Sequence, residues 1–225
     1  MWKNYVKIAW RNLTRYKGFT FINVIGLTLG LLFALLIALW VQDELRFDRF
    51  HTNGDRLYRI NSNLFWSEGE PNTSSMTPGP LEAALEAQIP EIASVVKTSY
   101  SNESLFSVGE KVAKEDGFYA SPDFLEMLSF PLLAGDVNKA LTSPASIVIS
   151  ETMALKFFGT TDVVGKTIQM DKEENLMISG VVADVPAHST IRFNWVRPFE
   201  VFAKSNTWAD TWGNFSFYTY ALLKP

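Results

Sequence analysis

Phe19–Val41 reads FTFINVIGLTLGLLFALLIALWV, an uninterrupted run of 23 residues without a charged side chain. A hydrocarbon core about 30 Å thick takes roughly 20 apolar residues at about 1.5 Å of helical rise each, so the run is long enough to span a bilayer with some tilt. The 225-residue average conceals it: 47% hydrophobic, 20% charged and a mean hydropathy of +0.04 describe an ordinary soluble protein of one or two domains. Without the run, the rest keeps a normal water-soluble composition.

Charge is segregated around the run. Residues 1–18 hold Lys3, Lys7, Arg11, Arg15 and Lys17 and no acid, whereas the net charge of the whole chain is −4. Basic flanks stay in the cytoplasm, so residue 1 is expected inside and everything after Val41 outside. A cleaved signal peptide is the rival reading, but its apolar region is about 7 to 15 residues long and precedes an A-x-A-like site. Here the run ends in Trp40-Val41-Gln42-Asp43-Glu44, so a retained anchor is expected. The absence of cysteine excludes disulfides and thiol-ligated metals and is silent on compartment.

Residues 2–17 (WKNYVKIAWRNLTRYK) have helical periodicity and two faces. Trp2, Tyr5, Val6, Ala9, Leu13 and Tyr16 recur at spacings of three and four, and Lys3, Lys7, Arg11 and Arg15 form an i, i+4 stripe. The pattern predicts an interfacial helix, apolar side down, with its cations toward anionic headgroups. The alternatives are that the charges only orient the span, or that the segment is a cytosolic core helix. Nucleic acid can also bind a basic stripe, but the neighbouring span makes lipid the simpler partner and no nucleic acid is expected. Trp40 sits at the other end of the run, where aromatic rings suit a headgroup boundary.

Within the run, Gly26-Leu27-Thr28-Leu29-Gly30 places two glycines on one helix face with Thr28 between them. Such a face lets another helix approach closely. Gly26, Thr28 and Gly30 are therefore the candidate packing residues, against further helices of the same or a second chain.

From residue 42 to 225 the pattern is α+β and outside the membrane. Helical stretches at 79–88, 122–128 and 151–158 alternate with β-like runs at 56–64, 94–101, 111–120, 145–150, 166–170, 175–185 and 215–223. Ser67–Pro80 (SEGEPNTSSMTPGP) is rich in turn residues and is expected to be an exposed loop. No internal repeat is visible. The last β-like run stops at Lys224-Pro225, as a cut chain would.

Several chemistries are nearly spelled. Gly159–Thr167 (GTTDVVGKT) resembles a phosphate-binding loop, but its glycines enclose five residues where the motif requires four. A helix-like run also precedes it and a strand-like run follows, the reverse of what the motif needs, so nucleotide binding is rejected. Ser94-Val95-Val96-Lys97 matches S-x-x-K, a spacing expected by chance, without the partner motifs of penicillin-interacting enzymes. His51 and His188, with Asp48, Asp55 and Asp184 nearby in sequence, are too thin a set for zinc. The adjacent acids Asp43-Glu44, Glu115-Asp116 and Glu173-Glu174 suit solvated turns better than acid/base catalysis. No catalytic, cofactor or metal residue is assigned.

WKNYVKIAWRNLTRYKGFTFINVIGLTLG with VQDELRFDRFH and DRLYRI, then FLEMLSFPLLAGD, SIVISE, FFG, VGKTI and ISGVVADVP, resembles the permeases of the MacB-type, FtsX-like ABC transporter family in the order expected. The resemblance implies a cytoplasmic amphipathic helix (1–18), a first transmembrane helix (19–41) and a MacB-like periplasmic core domain (42–225), incomplete at its C-terminal end, in the bacterial inner membrane. It also implies an ABC ATPase partner that hydrolyses ATP elsewhere, a permease dimer, and a periplasmic adaptor or lipoprotein. The permease would transmit ATP-driven motion to the outer domain for export or extraction of a peptide, drug or lipoprotein. It departs from the family in lacking later spans and a loop to grip the ATPase, so a front fragment is expected. Two other readings remain open: a single-span anchored binding or sensor domain, and a membrane-tethered hydrolase that needs Ser94 and Lys97 within hydrogen-bond reach.

Overall fold

In the computed structural model, residues 2–65 and 71–225 are described. The chain divides into two units, the boundary falling between Phe47 and Asp48.

The first unit holds α1 (Trp2–Arg15) and α2 (Lys17–Glu44). Instead of one helix over 2–17, the chain breaks at Tyr16, whose φ of −108° and ψ of 62° are not helical. Two threonines account for the break. The Thr14 hydroxyl bonds back to Trp10 O at 3.1 Å, a contact that tends to bend helices. The Thr20 hydroxyl donates to Leu13 O at 2.9 Å, taking the carbonyl that Lys17 N would use in a continuous helix. Beyond the break, α2 extends past the uncharged run at both ends. Among the described residues it is the one helix apolar and long enough to cross a membrane.

The second unit contains, in chain order, β1 (Leu57–Ile60), β2 (Ser62–Leu64), β3 (Asn72–Ser74), β4 (Thr77–Pro78), α3 (Leu81–Gln88), β5 (Ile92–Thr98), β6 (Asn102–Val108), β7 (Lys111–Ala120), α4 (Phe124–Met127), β8 (Leu132–Gly135), α5 (Val137–Ala140), β9 (Ser146–Ser150), α6 (Glu151–Phe158), β10 (Thr167–Met170), β11 (Glu174–Val182), β12 (Trp195–Pro198), α7 (Phe199–Ser205) and β13 (Phe215–Leu223). The main sheet runs β1-β13-β5-β7-β12-β9-β11-β10-β6. Because β6 pairs with β7 as well as with β10, six of these strands close into a ring. Two pairings are parallel, β12 with β7 and β9 with β11.

Strand alternation splits the core in two. Phe106, Ile147, Ile149, Ile168, Leu176 and Trp195 belong to the cluster that fills the ring, capped by Met153 and Phe157 of α6. Their strand neighbours Val148 and Val196 face the other way and join Phe118, Phe124, Leu128 and Phe193. β9 is therefore buried along its whole length, as its continuous Ser-Ile-Val-Ile-Ser run requires of a strand covered on both faces. A third, aromatic cluster joins Phe199 and Phe202 of α7 to Phe217 of β13.

The segment expected to be an exposed loop is corrected by its partners. Residues 67–70 lie outside the described residues, but β3 pairs with β2, β4 pairs with β13, and Thr77, Pro78 and Gly79 are buried. The Thr77 hydroxyl donates to Phe217 O at 2.9 Å and lies 2.7 Å from Thr219 Oγ1. The expected strand 56–64 is likewise interrupted at Asn61 to give β1 and β2.

Candidate functional site

The membrane-interface candidates Lys3, Lys7, Arg11 and Arg15, with Trp2 and Tyr5, lie on α1 and are all exposed. Trp40 lies on α2 and is 66% exposed. No residue of either helix is buried. Gly26 and Gly30 have open space where a side chain would begin, so the glycine face of α2 offers room for a neighbour.

The enzymatic near-motifs come apart. Ser94 and Lys97 are three residues apart on β5, which puts their side chains on opposite faces of the sheet. Lys97 Nζ is bound to Glu82 at 3.0 Å and to Gly79 O at 2.9 Å, and lies 4.6 Å from the Phe199 ring centroid. The hydrolase reading required these two side chains to meet, and they do not.

The near-phosphate loop is a helix-to-strand turn. Gly159, with φ of 74°, caps α6 by donating its N–H to Leu155 O, a left-handed conformation that glycine adopts without penalty. The turn is then pinned by Gly165 N on Ile178 O at 2.8 Å before β10 begins.

The pair Glu115-Asp116 lies within β7 and not in a turn, whereas Glu173 lies in an exposed turn and Glu174 opens β11 exposed. Glu115 is 8% exposed within β7, ion-paired with Lys156 at 2.6 Å and accepting Asn194 Nδ2 at 2.8 Å. Glu174 pairs at 2.6 Å with Arg197, which is 1% exposed on β12. These contacts hold β7, α6, β11 and β12 together, and the partners lie so far along the chain that no local spacing announces them.

The histidines converge in space. His51 and His188 both lie against the Phe50 ring, at centroid distances of 4.1 Å and 6.4 Å. His51 is buried, and its Nδ1 donates to Leu128 O at 2.5 Å, which leaves Nε2 facing Asp48 Oδ1 at 3.8 Å. Asp48, held at φ of 56°, accepts Thr190 N at 2.8 Å on one oxygen and the Thr190 hydroxyl at 2.5 Å on the other. Its own N–H donates to His188 O at 3.0 Å. The first residues of the folded domain, four positions beyond the end of α2, are thus clasped to the 188–190 loop and to the end of α4. Among the described residues no three metal-ligating side chains come together.

Burial pushes the Tyr220 phenol up to about 12, with the Arg59 guanidinium opposing that rise. Tyr119, packed beside the ring core, is also raised by burial.

A family model described as the MacB-like periplasmic core domain matches residues 20–225. The chain belongs to this family. The MacB-like fold is shared with three crystallised chains. A domain of a Porphyromonas gingivalis protein described as a permease has a TM-score of 0.66 and 24% identity, over 78% of this chain and 76% of that one. The periplasmic region of MacB from Actinobacillus actinomycetemcomitans has a TM-score of 0.52 and 16% identity, over 75% and 74%. The extracellular domain of the noncanonic ABC-type transporter YknZ from Gram-positive bacteria has a TM-score of 0.51 and 15% identity, over 75% and 82%. No curated protein matches the chain. The MacB-like assignment accounts for the near-phosphate sequence as a turn of the core domain.

Proposed function

We propose that this MacB-like chain works as a permease of an ABC transporter: α2 crosses the inner membrane, the N-terminus is cytoplasmic, and the domain from residue 48 works in the periplasm. The observation that carries this reading is the extent of the family match. It begins at residue 20, inside α2, and continues to residue 225, so span and outer domain form one family unit. ATP is hydrolysed by a partner ATPase, and its motion reaches the outer domain through α2 for export or extraction of a peptide, drug or lipoprotein. The basic stripe of α1 rests on anionic headgroups. Gly26, Thr28 and Gly30 receive a neighbouring helix of the same or a second permease chain. A periplasmic adaptor or lipoprotein meets the outer domain.

Tagged full-length protein solubilised from its native membrane is expected to bring down a Walker-A ATPase in stoichiometric amount. Gly26→Ile is expected to reduce recovery of a second, differently tagged copy roughly tenfold, the effect of about 1–2 kcal/mol of helix packing. Repeated absence of the ATPase would leave the single-span binding-domain reading in its place.

Orientation has a separate check, because the chain has no cysteine of its own. A membrane-impermeant maleimide is expected to label Glu110→Cys, in the exposed β6–β7 turn, in intact cells with a permeabilised outer membrane. Asn4→Cys on α1 is expected to react only after lysis. The opposite pattern would invert the topology.

A further inference from the structure

One face of the β1–β13–β5 edge of the sheet carries a groove that no enzymatic or structural role has absorbed. Register places Arg59 of β1 opposite Tyr220 of β13, and Tyr218 of β13 opposite Thr98 of β5. Tyr218 and Tyr220 are two residues apart, so all four side chains share that face. Two hollows, of about 330 Å³ and 320 Å³, adjoin there and share Arg59, Thr190, Ile191 and Tyr220 in their walls. Together they match the size of a small-ligand cleft.

The charge of the groove is unbalanced. Among the described residues Arg59 has no hydrogen-bond or ion-pair partner. Arg192, on the loop that walls the groove, donates only to the carbonyls of Ser189 and Ala187. It also borders a neighbouring hollow containing Asp116 and Asp184, yet makes no ion pair with either within 4.0 Å. Among the described residues Asp48 is the one carboxylate in the walls of the two hollows, and both its oxygens accept from Thr190. His51 is turned to Leu128 O. Among the described residues, what faces the groove is two guanidinium groups without a carboxylate partner, the unengaged hydroxyls of Tyr218, Tyr220 and Thr98, and an apolar floor of aromatic rings with Leu57 and Ile191.

Guanidinium groups bind oxyanions through paired, charge-assisted hydrogen bonds, and aromatic rings beside them favour an apolar body on the same molecule. We propose that the Arg59–Tyr220–Tyr218 groove is a binding site for a small organic oxyanion, a carboxylate or phosphate group carried on an apolar body. Arg59 and Arg192 grip the oxyanion, the hydroxyls of Tyr218, Tyr220 and Thr98 donate to its remaining lone pairs, and the ring floor takes the apolar part. The site lies beside the Asp48–Thr190 clasp, so an occupant would contact the loop to which the domain's first residues are tied.

The test uses the full chain in nanodiscs of zwitterionic phosphatidylcholine, which present no competing anionic lipid. Calorimetric titration compares N-acetyl-leucyl-phenylalanine, its C-terminal amide and phenyl phosphate. At least one of the two anions is expected to bind about tenfold or more tightly than the neutral amide. Arg59→Gln is expected to erase that preference, and Lys166→Gln, on the α6–β10 turn, to keep it. Arg59 is exposed and its side chain has no partner among the described residues, so its replacement leaves the fold intact, which circular dichroism checks. The anion that binds more tightly identifies the source of the oxyanion. Equal binding of acid, phosphate and amide, a preference that survives Arg59→Gln, or no anion binding up to about 10 mM would each overturn the site. Binding needs only the folded domain, so absence of the ATPase from the pull-down would not affect this result.

Discussion

Gly117→Ala is expected to cost about 3–5 kcal/mol and to lower the melting temperature of the full chain by roughly 10 °C. Gly117 of β7 sits opposite Trp195 of β12 in a parallel pair. A Cβ built on Gly117 would stand 2.1 Å from Trp195 O and 2.4 Å from its ring. Neither neighbour can withdraw. The oxygen is backbone within the closed ring of strands, and the indole is 0% exposed with its Nε1–H bonded to Glu115 O at 2.9 Å. The added methyl must therefore push β12 off β7, and with it part of both cores. Calorimetry of the full chain in nanodiscs measures the shift. Gly213→Ala, with nothing within 4 Å of its Cβ, is the matched control and should move the transition little. A Gly117→Ala melting temperature equal to wild type would show that β7 and β12 do not pair in this register.

Asp48→Ala is expected to release the clasp at the start of the domain. The carboxylate gives up two charge-assisted hydrogen bonds to Thr190, and alanine is also less tolerant than aspartate of the φ of 56° found here. Asp48 is partly exposed, so solvent screening limits the loss to about 1–3 kcal/mol. Hydrogen exchange reads this directly: the Thr190 amide is expected to exchange roughly ten- to hundredfold faster, while amides of β9 and β11 keep their protection. Asp48→Gly separates the causes, since it relieves the backbone and still removes the carboxylate. Fast exchange in both variants assigns the effect to the hydrogen bonds, and unchanged exchange in both would remove the clasp. In the permease reading the same residue lies where motion entering from α2 first meets the folded domain. Asp48→Ala should then weaken coupling to the ATPase without dissociating it.

The segments legible without a structure are those whose signal is local. The uncharged run names the long apolar helix α2, the i, i+4 cations name the α1 stripe, and the Ser-Ile-Val-Ile-Ser run followed by an amphipathic stretch names β9 and α6. β12 was not legible: Trp-Val-Arg-Pro carries an arginine and a proline, and it is a strand because β7 and β9 hold it on both sides. Thr77-Pro78-Gly79 read as loop for the same reason in reverse, since its burial depends on β13, far along the chain. Nothing local marks Glu115 as buried, and the partners of Glu115 and Glu174, Lys156 and Arg197, have no fixed offset from them.

The Arg59 groove follows the same division. Tyr218 and Tyr220 can be seen to alternate along one strand, and nothing local says that Arg59 will face them. A helix apolar and long enough to cross a membrane, charge asymmetry and α+β character come from composition and periodicity, which act over a few residues. Closure of the six-strand ring, the half-buried ion pairs, the Asp48 clasp and the groove come from pairing between distant segments. Cross-strand contacts form only where the whole sheet sets the register, and for that reason they leave no periodic trace in the chain.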